Sequence, residues 1–327
     1  MKKLWAGYLL AACVVGSSCD GEVTIKGTEG EQKPVLYCFP SNLSDTTFIR
    51  FSWSKSVNGN EGINRGREGV GISFWLNGEE RKVTSVVSDT QSGGSFFVLG
   101  RLEEGDDISV RVKLPDGKTV SAATEVPSPF PLKKVRIKEV EAYGTRAVRF
   151  EVTLQDRRTT EDYYGVKVLY RYPYGGLGLD ETKDPVSCTL MLNTDNEPLL
   201  NDRFGVDDVF HLSDDFYQHL YIWNDRKIDG REYTLSLDFL LDNKDALRMS
   251  EGSPLYKLVL YSLSEDLYKY LKSVNALNNN DLGKAGLAPV HKKYTNVVNG
   301  LGIVAGCNVY ETDWMEASSL KIGRAHV

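Results

Sequence analysis

Short apolar runs separated by turn residues, repeated seven times before residue 127, constrain this chain more than any other feature. The runs at 35–39, 47–53, 70–76, 81–87, 95–99, 108–114 and 119–126 have strand length and are rich in β-branched and aromatic residues. Such residues suit a pleated, half-buried surface, and alternation along a run turns one face toward a core. Asn77-Gly78 and Asp116-Gly117 fall between runs, where glycine supplies the positive φ of a tight hairpin. Strands and turns at this frequency predict an immunoglobulin-like β-sandwich over residues 33–126. The polar, glycine-rich stretch 58–69 reads as a loop tip.

Pro127-Ser128-Pro129-Phe130-Pro131 then interrupts the pattern. Proline fixes φ and withholds amide donors, so residues 127–131 read as a stiff linker. Alternation resumes at 135–142, 147–154, 164–172 and 233–241, with a turn at 226–230 before the last of these. Residues 180–219, acidic and polar around one apolar run at 186–192, read as a loop-rich insertion. A strand at 256–261 leads into the one strong helix signal, near 264–277. Ser264 is its N-cap, Glu265 and Asp266 favour the positive end of the dipole, and Leu263 with Tyr268 form a hydrophobic staple. Leu267, Leu271 and Val274 share one helical face. A last strand at 297–304, punctuated by Gly300, Gly302 and Gly306, is expected to close against a sheet with tight backbone approaches. The fold class is therefore all-β, mainly strands with one short helix near the C-terminus. It consists of two β-sandwich-like domains, at 33–126 and 132–320.

The first residues read as targeting. Lys2 and Lys3 precede an apolar run at 4–15, too short for a comfortable membrane span, and Gly16, Ser17 and Ser18 lead into Cys19. This resembles a bacterial lipoprotein signal peptide at 1–18, with Cys19 the lipidated residue and 19–32 a tether. Leu10-Ala11-Ala12-Cys13 is a competing lipobox, but processing there would leave Val14 and Val15 on the mature end. Asp20 and Glu22 resemble the acidic residues that route some lipoproteins to the cell surface. Acyl chains would be the membrane anchor. Net charge is −6, which argues against a nucleic-acid partner held through phosphates. At the other end, 321–327 (KIGRAHV) matches a sequencing-library adaptor read in frame and is expected to be an artefact.

Several segments in order, namely the Cys19 region, LYCFPSNLSDTTFIRFSWSKSV, DRKIDGREYTLSLDF, LYSLSEDLYKYLKSV and NVVNGLGIVAG, resemble the Bacteroidota lipoprotein family known as domain of unknown function 4249. The resemblance implies an outer-membrane or surface location and a TonB-dependent transporter as partner. It brings no catalytic residue with it, and the acidic middle segment departs from its pattern.

The remaining chemistry is sparse. Cys38, Cys188 and Cys307 show no metal-ligand spacing and read as small hydrophobes in strands, with one internal disulfide as the alternative. His211 and His219, with Asp207, Asp208, Asp214 and Asp215, could offer oxygen ligands to a hard cation, but in no EF-hand or zinc pattern, so no metal and no cofactor is expected. Tyr170, Tyr172 and Tyr174, ahead of Gly175-Gly176-Leu177-Gly178, are the candidate ligand contacts, since alternate tyrosines share a strand face. The competing reading is an aromatic ladder in the core. Together these point to a non-enzymatic accessory binding protein with unidentified ligand. The alternative is a glycan hydrolase using carboxylates of 180–219. Metabolic labelling with a fatty-acid analogue is expected to mark the wild type and not Cys19→Ala; label retained there and lost in Cys13→Ala would move the mature end to Cys13.

Overall fold

The computed structural model describes residues 32–54, 69–86, 93–171, 187–201, 216–242, 253–279 and 292–318. The first half forms β1 (Pro34–Cys38), β2 (Thr46–Trp53), β3 (Gly71–Leu76), β4 (Glu79–Arg81), β5 (Thr84–Val86), β6 (Gly93–Leu99), β7 (Asp107–Lys113) and β8 (Thr119–Glu125). The second forms β9 (Leu132–Ala142), β10 (Thr145–Gln155), β11 (Tyr163–Arg171), β12 (Cys188–Thr189), β13 (Tyr221–Asn224), β14 (Glu232–Leu240) and β15 (Leu255–Leu263). Helix α1 (Glu265–Asn278), β16 (Leu301–Val304) and β17 (Cys307–Glu311) follow. The chain is mainly β, as its alternation predicts.

One sheet runs β16-β1-β2-β6-β5 and a second runs β4-β3-β7-β8. Between them lies a core of Leu36, Ile49, Phe51, Phe74, Ile108, Val110 and Val112, drawn from alternate positions of both sheets. The single strand expected over 81–87 is two. β4 pairs with β3 and β5 with β6, so the chain changes sheets between them, with Val83 packed against the core at the crossing. A third sheet (β14-β10-β9) faces a fourth (β12-β11-β15-β17, with β13 also on β11), burying Phe150, Leu154, Tyr164, Trp223, Leu237 and Tyr256.

Residues 187–201, expected within a loop-rich insertion, are a packed crossing between these two sheets. β12 pairs with β11, Asn193 then bridges Asp238 of β14, and Leu190, Leu192, Leu199 and Leu200 are buried. Glu197 fastens the crossing: its carboxylate accepts from Tyr233 Oη at 2.7 Å, Leu199 N at 3.1 Å and Ser236 N at 2.9 Å. The linker is likewise held. Phe130 is buried in the second core, and Pro127 O and Pro129 O accept from Asn308 Nδ2 and Arg157 Nη1.

Helix α1 begins where its sequence signals place it, with Leu267 N donating to Ser264 Oγ at 3.3 Å. Leu263 and Tyr268 are both buried, as a staple requires. The helix joins the halves. Leu267, Tyr268 and Leu271 pack in one cluster with Tyr163, Ile222, Val259 and Leu263 of the fourth sheet and with Ile303 of β16, beside Tyr37 of β1. Beyond it, the chain leaves the second sandwich for one strand before β17 rejoins the fourth sheet beside β15. β16 returns to the first sheet and pairs in parallel with β1, Leu36 opposite Gly302 and Cys38 opposite Val304.

Two glycines permit that return. A Cβ at Gly302, where φ is +100°, would stand 2.0 Å from Leu36 O, and one at Gly306 would stand 2.2 Å from Glu125 O. Both oxygens belong to backbone held in strands and linker, so neither can move aside. Gly306→Ala is expected to lower unfolding stability in urea by about 3 kcal/mol. Gly117→Ala, at φ +83° with nothing within 4 Å, should cost only the ~1 kcal/mol of a left-handed residue. Equal losses at the two positions would remove this account.

Candidate functional site

Antiparallel pairing of β11 with β13, and of β10 with β14, brings two chain turns together at one end of the second sandwich. Residues 156–162 leave β10 and enter β11; residues 225–231 leave β13 and enter β14. Asp156, Asp162 and Asp225 meet there, each offering a carboxylate oxygen within 4.8 Å of the others. Asp156 and Asp225 are buried. Beside them lies a cavity of about 420 Å³ lined by Thr159, Thr160, Glu161, Asp225, Arg226 and Asp229.

Three carboxylates so close would repel unless each found compensation, and each does. Asp156 Oδ1 accepts from Tyr164 Oη at 2.7 Å and Oδ2 from Gly230 N at 2.8 Å. Asp162 takes a two-pronged grip from Arg157, Nη2 to Oδ1 at 2.9 Å and Nε to Oδ2 at 3.1 Å, with Thr160 Oγ1 also on Oδ2 at 2.8 Å. Asp225 Oδ2 accepts from Asp162 N at 2.7 Å. At the rim Arg226 reaches Glu161 Oε1 through Nε at 3.0 Å and Nη2 at 2.8 Å. Burial raises the carboxyl pKa of both Asp156 and Asp225 above the ordinary aspartate range, with backbone hydrogen bonds opposing the rise. Burial and the bond to Asp156 push the Tyr164 phenol upward, so it stays a donor.

Carboxylate oxygens at this spacing are the donor set a hard cation takes. Here they are engaged by the chain's own donors. The turn at 225–231 is stitched to the 156–162 turn through Asp162 N, Gly230 N and the Tyr164 hydroxyl, so the cluster acts as a clamp on two backbone turns. Asp225, Asp229 and Gly230 lie in the segment DRKIDG, which the sequence shows as a turn. Their partner Asp156 lies 69 positions before Asp225 (225 − 156), and nothing local to it announces the meeting.

The residues singled out from sequence lie elsewhere. Tyr170, near the end of β11, packs partly buried against the second core, while Tyr172 and Tyr174 lie outside the described residues, as do Cys19, His211, Asp207, Asp208, Asp214 and Asp215. His219 sits in a short 3-10 turn with φ +54°. Cys38, Cys188 and Cys307 are free thiols; Cys38 and Cys307 are buried, each pushed up to about 12, and Cys188 is exposed.

Paired sandwiches, a helix wedged between them and a self-satisfied acidic clamp define an all-β protein of the two-sandwich type. The chain belongs to the family described as domain of unknown function DUF4249, whose model matches residues 20–313. No curated protein matches it.

Asp156→Asn leaves a donor amide where an acceptor oxygen received Tyr164 or Gly230. It is expected to lose about 1–3 kcal/mol of stability at neutral pH, read by urea unfolding. The pH dependence has a defined sign. Because the folded-state pKa values of Asp156 and Asp225 are raised, the folded chain holds these protons more tightly than the unfolded one. Their contribution to stability is therefore present at low pH. It is lost as pH climbs from the unfolded aspartate value, about 4, through the raised values. Asp225→Asn should flatten that stretch of the stability curve, and an unchanged slope would count against the assignment.

Proposed function

We propose that the protein is a lipid-anchored, outer-membrane or surface-anchored accessory binding protein of a Bacteroidota cell, non-enzymatic, and working beside a TonB-dependent transporter. The observation that carries the reading is the coincidence of two boundaries. The family match begins at residue 20, directly after the cysteine that ends the lysine-plus-apolar leader. A leader of that form followed at once by the family domain is the arrangement of an acylated, exported protein.

The junction supports a binding role. Helix α1, the parallel β1–β16 pair and the anchored linker hold the two sandwiches as one body, so loops of the second can be presented at a set distance from the membrane-proximal first. The acidic clamp at 156–162 and 225–231 is used to fix loop geometry, and rigid loop support is what a binding surface needs.

Photo-crosslinking in intact cells should recover an outer-membrane transporter with the wild-type protein, and deletion of the gene should lower uptake of that transporter's substrate. Absence of both the crosslink and the uptake defect would refute the partnership. Hydrolysis of a surface glycan by the purified protein, abolished by replacing one carboxylate of 180–219, would replace it with the hydrolase reading.

A further inference from the structure

The outward positions of the first sheet are unusual for a chain with 45 Asp and Glu and a net charge of −6. On β1, β2, β5, β6 and β16 they include no carboxylate, and their one charge is Arg50. Large apolar side chains take the place of charge. Phe48 is 62% exposed and stands opposite Phe97; Leu99, 67% exposed, stands opposite Thr46. Phe39, 47% exposed, stacks beside Tyr37 with ring centroids 6.4 Å apart, and Tyr37 is the cross-strand partner of Arg50. Helix α1 covers the β16 side of this face, where Ile303 and Tyr37 join its cluster. On β2 and β6, Phe48, Arg50 and Leu99 are exposed, while Thr46, Ser52, Ser95 and Phe97 are half-buried. Contiguous exposed apolar area of this kind marks a surface that meets something.

We propose that this face rests on the lipid surface, with Phe48 and Leu99 inserted among headgroups and acyl chains and Arg50 on a lipid phosphate. The proposal rests on the reading that Cys19 is acylated, and the length of the tether argues for lipid as the occupant. Residues 20–31 separate Cys19 from the first described residue, Gln32, two positions before β1 begins. Fully extended they reach at most about 40 Å, so the first sandwich stays close to the bilayer. An anchor also raises the effective concentration of the face at the membrane, so a few side chains with modest intrinsic affinity suffice. Among the described residues, the outward strand positions of this face carry no carboxylate, with Asp45 at its edge, so repulsion from anionic headgroups is small there, and Arg50 adds attraction.

The test uses the mature chain from residue 19 with Cys19→Ala, which carries no acyl group, floated with phosphatidylethanolamine/phosphatidylglycerol vesicles. The protein is expected to float with the vesicles. Phe48→Ser combined with Leu99→Ser should lower the bound-to-free ratio about tenfold or more. Arg50→Glu should lower it about fivefold on these vesicles and leave binding to neutral phosphatidylcholine unchanged. These side chains are exposed, so thermal melts of the variants should match the parent; Arg50→Glu keeps the test open should the double variant not fold. Absence of flotation, or flotation equal in all variants, would overturn the proposal. A concentration-dependent dimer abolished by the same variants, without vesicle binding, would assign the face to a second copy of the chain and overturn it too. None of these results depends on acylation, which the fatty-acid labelling reports separately.

Discussion

The parallel pairing of β16 with β1 is the constraint on which the rest of the architecture depends. It joins Leu36 to Gly302, far apart along the chain, and it draws one late strand, β16, into the first sheet. A parallel pair needs a long crossover, and here the connection runs through β2–β8, the strands β9–β15 and α1. Asn296 secures the return. Its side chain exchanges hydrogen bonds with Val304, N to Oδ1 at 3.1 Å and Nδ2 to O at 2.8 Å, and donates to Asp266 of α1 at 2.9 Å. Asp266 also accepts from Tyr294 Oη at 2.5 Å, so helix, strand and the segment between them are bound at one place.

Once β16 is in place, α1 has a floor on both sides. Its four buried residues, Leu267, Tyr268, Leu271 and Val274, contribute roughly 6–12 kcal/mol of gross apolar burial, an upper bound because the unfolded chain is itself partly compact. That burial is shared between sheets of different sandwiches. Opening the junction would expose it, so the junction resists opening in a way a proline-rich linker alone could not. The acidic clamp repeats the principle in polar form. Buried carboxylates are costly until donors satisfy them, and the donors here come from two turns far apart in sequence.

In the proposed arrangement, with the chain anchored at Cys19, the joined sandwiches would turn attachment into defined geometry. There the span 20–31 would limit how far the first sandwich stands from the bilayer, the outward face of the first sheet would offer it aromatic and aliphatic side chains, and α1 would pass orientation on to the second sandwich. The residues that would meet a partner are then presented on loops supported by paired strands and by the clamp.

Local patterns determined a good deal. Alternation placed most strands to within a residue or two, because a strand with one buried face must repeat every second residue. Ser264, Glu265, Asp266 and the Leu263–Tyr268 staple placed the start of α1, because capping is satisfied by neighbours in sequence. Short or strongly tertiary pieces escaped. β17 and β13 were not foreseen, and the strand expected over 81–87 divides between two sheets, since five or fewer residues carry too little periodicity to reveal their partners. The acidic cluster was equally hidden, because Asp156 and Asp225 are ordinary turn residues until strand pairing brings them together. Gly302 and Gly306 showed that backbone would approach backbone. Only the tertiary structure decided whose backbone it was, because the oxygens that forbid a Cβ belong to Leu36 and Glu125, far away along the chain.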